Sequence, residues 1–104
     1  MPESVPTVFL PSPDVELEDW GPLEEATGPE MMTSGIGIWE CTPGPSHWTL
    51  DTNEFIYVVS GRMTCTPEGG EPLDLEAGNS AVFPKGWTGT WEIHETLKKL
   101  YVIY

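Results

Sequence analysis

Few side chains in this 104-residue sequence are of a kind that does chemistry. Glu54 opens an otherwise apolar run, EFIYVVSG, and Lys99 stands in LKKLYVIY. A carboxylate among β-branched and aromatic residues is a candidate general acid/base, because desolvation favours its neutral form, and it is equally a candidate metal ligand. The bland role for Glu54 is a solvated group at a strand mouth, or one paired with Lys99 or Lys85. His47 is the candidate second catalytic group; otherwise it is a rim histidine. Trp39, Tyr57, Trp87, Trp91 and Lys99 form the candidate binding set. Their rings either make a stacking surface for a flat or sugar-like ligand or fill a core. Cys41 and Cys65 lie outside any CxxC pattern and are read as reduced, small core residues.

Composition narrows the partners. Seventeen acids face four bases, for a formal net charge of -13. A nucleic-acid or anionic-membrane surface needs the opposite sign, so neither is expected. The glycine-rich phosphate loop, the nucleophile elbow and the basic patch with interleaved aromatics have no counterpart here. No stretch is long and apolar enough to span a bilayer, and the N-terminus lacks a signal-peptide pattern. A cytoplasmic location, with a small molecule as ligand, is therefore the default expectation. One domain of this size has a small core, which makes a homodimer the expected assembly.

The elements that must position these residues are short strands. Gly78–Trp91, GNSAVFPKGWTGTW, holds two tight turns around the strand Ala81–Phe83. Proline pre-sets one backbone angle and glycine supplies positive φ, so the chain reverses twice within a few residues. That rhythm belongs to a small all-β antiparallel barrel of about ten short strands. Gly35–Thr42 reads as a strand ended by the breaker Pro43-Gly44-Pro45. Glu54–Thr66 reads as two strands around Gly61, Pro72–Glu76 as another, and Thr88–His94 and Leu97–Tyr104 as the last two, joined through Glu95-Thr96. Residues 1–34 differ, with eight acids, no base and six prolines. They read as an irregular N-terminal arm lying on the barrel domain of residues 35–104. Val5–Leu10 is a possible edge strand in that arm, Pro13–Glu25 is a weak helical signal, and Leu17, Trp20 and Leu23 are anchors.

These turns and spacings resemble the cupin superfamily, whose barrel is a jelly roll or double-stranded β-helix. His47-Trp-Thr49, four residues, Glu54, six residues and Gly61 follow the spacing of its first motif. Gly78, five residues, Pro84-Lys-Gly86, two residues and Gly89 follow its second, with Ile93 at the last place. The runs DTNEFIYVVSG and FPKGWTGTW and the closing LKKLYVI look like the small branch related to the (S)-ureidoglycine aminohydrolase cupin domain. The resemblance spans about residues 35–104.

The resemblance implies a metal held at four places, which here are His47, Thr49, Glu54 and Gly89. Threonine is a poor ligand for a divalent ion and glycine offers no side-chain donor, whereas a catalytic site needs about three protein ligands. The expectation is a cupin with an incomplete metal site and no cofactor, binding a small metabolite; His47 and Glu54 are the only ligands if a metal is held. The alternative is a hydrolase or lyase of the ureidoglycine aminohydrolase kind. Strand parity, counted from Gly89, sends Trp91, Ile93, Glu54, Ile56 and Val58 inward, and Trp87 shares that parity. It sends His94, Phe55, Tyr57 and Val59 outward, where the arm or a second subunit must cover the apolar three. Lys99, with Tyr101 and Ile103, is a partner for Glu54 if that face is the inner one, and Lys98 then meets water.

Overall fold

The computed structural model describes Pro22, residues 24–27 and residues 35–104. Seven strands run through them: β1 (Glu24–Thr27), β2 (Ile36–Cys41), β3 (Gly44–Thr49), β4 (Glu54–Pro67), β5 (Leu73–Glu76), β6 (Ser80–Phe83) and β7 (Thr88–Ile103). Among the described residues no helix occurs, so none is long and apolar enough to cross a membrane.

Everything is built on β4 and β7, which pair antiparallel from Glu54↔Ile103 to Pro67↔Gly89. On one half of this ribbon, β6 joins β4 over Glu54–Tyr57, while β2 joins β7 over Leu97–Val102 and takes β1 beside it in parallel. On the other half, β5 joins β4 over Arg62–Cys65 and β3 joins β7 over Thr88–Ile93. The two halves belong to one seven-stranded, mainly antiparallel sheet that closes as a jelly-roll barrel, and their inner faces share one core that includes Trp39, Ile56, Met63, Phe83, Trp91 and Leu97. The all-β barrel expected from the turn chemistry is the fold observed.

Three expectations about its strands are corrected. β4 and β7 each run unbroken where two strands were expected, so the described residues hold seven strands and not about ten. Sheet is kept because register slips absorb the corner, between Val58 and Ser60, Ser60 and Arg62, and Arg62 and Met63. A bulge bends a strand without ending its ladder. The shift also moves the inward set of β4 from Glu54, Ile56 and Val58 to Met63 and Cys65. Second, the breaker does end β2, at Cys41, but a further strand, β3, starts within it at Gly44. β3 pairs only with β7 and Pro45 is exposed, so its missing donor faces no ladder. Third, Glu24–Thr27 forms β1 inside the span read as an irregular arm, and the weak helical signal over 13–25 gives a bend at Pro22 and strand at Glu24 and Glu25 where it is described. The Val5–Leu10 strand and the anchors Leu17, Trp20 and Leu23 lie outside the described residues.

Phe55, Tyr57 and Val59 face outward, as parity requires, with Tyr57 and Val59 exposed. Val82, Leu100 and Val102 stand beside Phe55 and Tyr57 in register, so one outer face is apolar.

Gly61 sits at the corner of β4 with φ +91°, where an added Cβ would run into the Thr96 carbonyl oxygen of β7. Gly86 has nearly the same φ, +92°, with open space around it. Gly61→Ala is therefore expected to cost clearly more than Gly86→Ala, about 2 kcal/mol or more against about 1 kcal/mol, measured by urea unfolding.

Candidate functional site

Lys99 is adjacent to Val58 of β4 and Trp39 of β2 in register, and all three are buried inside the barrel. From there its side chain runs to Glu54, which enters the same space from the first residue of β4. Lys99 Nζ donates to Glu54 Oε2 at 2.8 Å, and both side chains are essentially sealed from solvent, at 0% and 2% exposure. The ammonium also lies 4.1 Å from the ring centroid of Trp91 and 4.6 Å from that of Trp39, within cation–π range. Burial pushes the Lys99 pKa below its ordinary 10.5, while the charge and hydrogen bond of Glu54 pull it back up.

Around this pair the aromatic rings are continuous. Trp91 is fully buried and touches four of them: Trp48 at 4.9 Å between centroids, Phe83 at 5.2 Å, Trp39 at 6.0 Å and Trp87 at 6.3 Å. Its Nε1–H is buried and has no hydrogen-bond partner among the described residues. Trp48 donates its own Nε1–H to Ser46 Oγ at 2.7 Å. The Trp39 and Trp48 rings meet edge to face, 6.3 Å apart, and line a hollow of about 260 Å³ where β2 passes into β3. Cys41 and Ser46 add polar atoms to its wall. A larger hollow of about 550 Å³ is bordered by Arg62, Asp74, Glu76 and His94, all exposed. Strong solvation of those groups makes it the weaker candidate.

The structure brings together Glu54, Lys99, Trp39 and Trp91, with Trp87 joined through Trp91. It does not bring His47 or Tyr57 to them. His47 is exposed on the outer face, opposite Thr90, and Tyr57 is exposed on the outside of the other half. The inward residues of β3 are Ser46 and Trp48, which face Trp91 and Gly89. Counting along the motif alone placed His47 one residue out of phase, because the strand already begins at Gly44. Trp48 and the thiol of Cys65 are the site residues that the candidate set lacked. Counting from Gly89 across β7 to its neighbour would have found Trp48.

The model of the EutQ-like cupin domain family matches residues 30–101. The chain belongs to this family. Among solved structures, a DUF861-family protein from Thermotoga maritima is 34% identical with a TM-score of 0.63, covering 64% of this chain and 76% of that one. The Clostridium difficile EutQ protein is 25% identical with a TM-score of 0.62, covering 66% of this chain and 54% of that one. A putative ethanolamine utilization protein Q from Salmonella typhimurium is 26% identical with a TM-score of 0.61, covering 66% and 55%. The match thus spans about half the length of the two EutQ proteins. No curated protein matches the chain.

The four places where the cupin resemblance implies metal ligands do not fit a metal here. His47 and Thr49 face outward, and Gly89 carries no donor; a Cβ added there would strike the Trp87 ring and the Thr66 carbonyl. Of these four places only Glu54 brings a donor into the barrel, and it already accepts from Lys99. Among the described residues no three His, Cys, Asp or Glu side chains converge.

Two outcomes are expected. Glu54→Gln leaves a buried ammonium without its counter-charge, at a cost of about 3–5 kcal/mol. Lys99 then holds its proton less tightly folded than unfolded. The unfolded chain binds more protons in that window, so the variant's stability should rise with pH toward 10.5, as denaturation across pH would show. Burial also pushes the Cys65 thiol up to about 12 from 9.0. The folded chain keeps a proton there that the unfolded chain loses, so stability should fall as pH rises from 9 toward 12. Cys65→Ala should flatten that fall, and iodoacetamide near neutral pH should spare Cys65 until the chain unfolds.

Proposed function

We propose that this cupin domain binds a small metabolite without a metal ion, in the hollow between Trp39 and Trp48. The observation that carries the reading is the indole-lined opening of about 260 Å³, backed by the ring cluster and by the Glu54–Lys99 pair. Two aromatic walls at right angles suit a ligand with a flat or apolar body, because rings supply contact area at low entropic cost. The Ser46 hydroxyl and the Cys41 thiol on the wall suit a ligand with one or two polar atoms. The volume suits a molecule below drug size.

An aminohydrolase-type reaction would need a base or a metal at this place. His47, the base in that alternative, stands on the outside of the sheet. The remaining titratable pair, Glu54 and Lys99, is closed off behind Trp39 and Trp91. These positions favour binding over turnover.

The test has two arms. A metabolite panel screened by thermal shift should yield at least one compound that stabilises the protein and quenches its tryptophan fluorescence. Trp48→Ala should weaken that compound at least about tenfold, roughly 1.4 kcal/mol, while Tyr57→Ala leaves it unchanged. Elemental analysis should find far less than one divalent ion per chain, with no loss of stability on adding chelator. A stoichiometric ion that disappears in Glu54→Gln overturns the metal-free reading, and a ligand indifferent to Trp48 overturns the choice of site.

A further inference from the structure

We propose that Glu54, Trp39 and Trp91 form an ammonium-binding box inside the barrel, which the chain fills with its own Lys99 in place of a metal ion. The inference concerns the sealed interior and stands apart from whether the mouth between Trp39 and Trp48 takes a metabolite.

Three observations support it. First, the box has the chemistry that recognises an alkylammonium. It offers one carboxylate oxygen at 2.8 Å and two indole rings whose centroids lie 4.1 and 4.6 Å from Nζ. Aromatic faces attract a cation through their quadrupole and attract it most when water is excluded. Exclusion is complete here, since Lys99 has no exposed surface. Second, the donors are wrong for a divalent ion. Glu54 is a lone carboxylate among rings, and among the described residues no three His, Cys, Asp or Glu side chains converge to hold an ion. Third, Trp91 is held in a position that leaves its buried Nε1–H without a partner among the described residues. A buried orphan donor is a cost that calls for an offset. The ammonium 4.1 Å from the ring centroid supplies one.

The box also explains why a bare lysine is tolerated in a core. A buried charge survives only when it is paired and its surroundings are polarisable. In the metal-binding plan implied by the cupin resemblance, an ion supplies the positive charge at the centre of the barrel. Here a covalently tethered cation does so, and it needs no supply from solution.

The test is chemical rescue. Lys99→Ala deletes the atoms from Cγ to Nζ, which together are n-propylammonium. The variant should lose thermal stability, and millimolar n-propylammonium should raise its Tm by about 3 °C or more, by mass action on the folded state. The same amine should leave the wild type unmoved, and n-propanol, the neutral analogue, should do little for the variant. Rescue by n-propanol equal to that by the amine, better rescue by a divalent ion, or no rescue by either overturns the proposal. If the variant does not fold alone, the same comparison is made by refolding it from urea with each additive, and the same outcomes decide. Lys99→Met gives an independent check. It keeps the length and removes the charge, leaving Glu54 buried without a partner. A Lys99→Met protein as stable as wild type at pH 8 also overturns it. Failure of the metabolite screen with rescue intact would remove the proposed function and leave the box standing.

Discussion

A single ion pair sets the terms for the interior of this barrel. Glu54 and Lys99 stand 45 residues apart, on the first residue of β4 and near the end of β7. Their contact at 2.8 Å ties the two long strands together from the inside. Removing one partner strands a charge in an apolar space, whereas a neutral pair of the same shape would impose no such demand. The neighbouring rings follow from this. The ammonium has no exposed surface, so polarisable surroundings favour it, and indole faces are the polarisable groups that also pack. Trp91 then occupies the middle of the core and dictates where Trp48, Phe83 and Trp87 can lie.

Gly89 and Trp87 carry the same logic on the opposite wall. A side chain at Gly89 would collide with the Trp87 ring and with the backbone of β4. The bulk of the indole and the bareness of the glycine are therefore one arrangement and not two independent losses. Dense interiors allow no vacancy of side-chain size, so a position that gives up a ligand must be filled from elsewhere.

Much of this was legible in the sequence because strands alternate. Fixing Gly89 as inward placed Trp91, Ile93, Glu54, Ile56 and Val58 inside and Phe55, Tyr57 and Val59 outside, and it offered Lys99 as a partner for Glu54 on the condition that its face was the inner one. The counting held through β7 because Trp91, Ile93, Leu97, Lys99 and Tyr101 keep one parity, while β4 takes up the net one-residue slip. It failed at His47, where Pro43 and Pro45 hide the start of β3 and the phase cannot be carried across the loop. A single residue of error there exchanges Trp48 for His47 and turns an aromatic wall into an imagined base. The unbroken lengths of β4 and β7 were illegible for a different reason. Gly61 looks like punctuation, yet at φ +91° it lets a strand bend while its ladder continues. The cation–π geometry depends on distances across the barrel, which no spacing along one chain encodes.

The ring cluster also gives the molecule an optical identity. Four indoles and a phenyl ring lie at successive centroid distances between 4.9 and 6.3 Å, so their electronic transitions couple. Such coupling appears as strong near-ultraviolet circular dichroism, a band that tracks fixed side-chain packing and vanishes when a core loosens. The interior of this barrel can thus be watched by light alone, without a label.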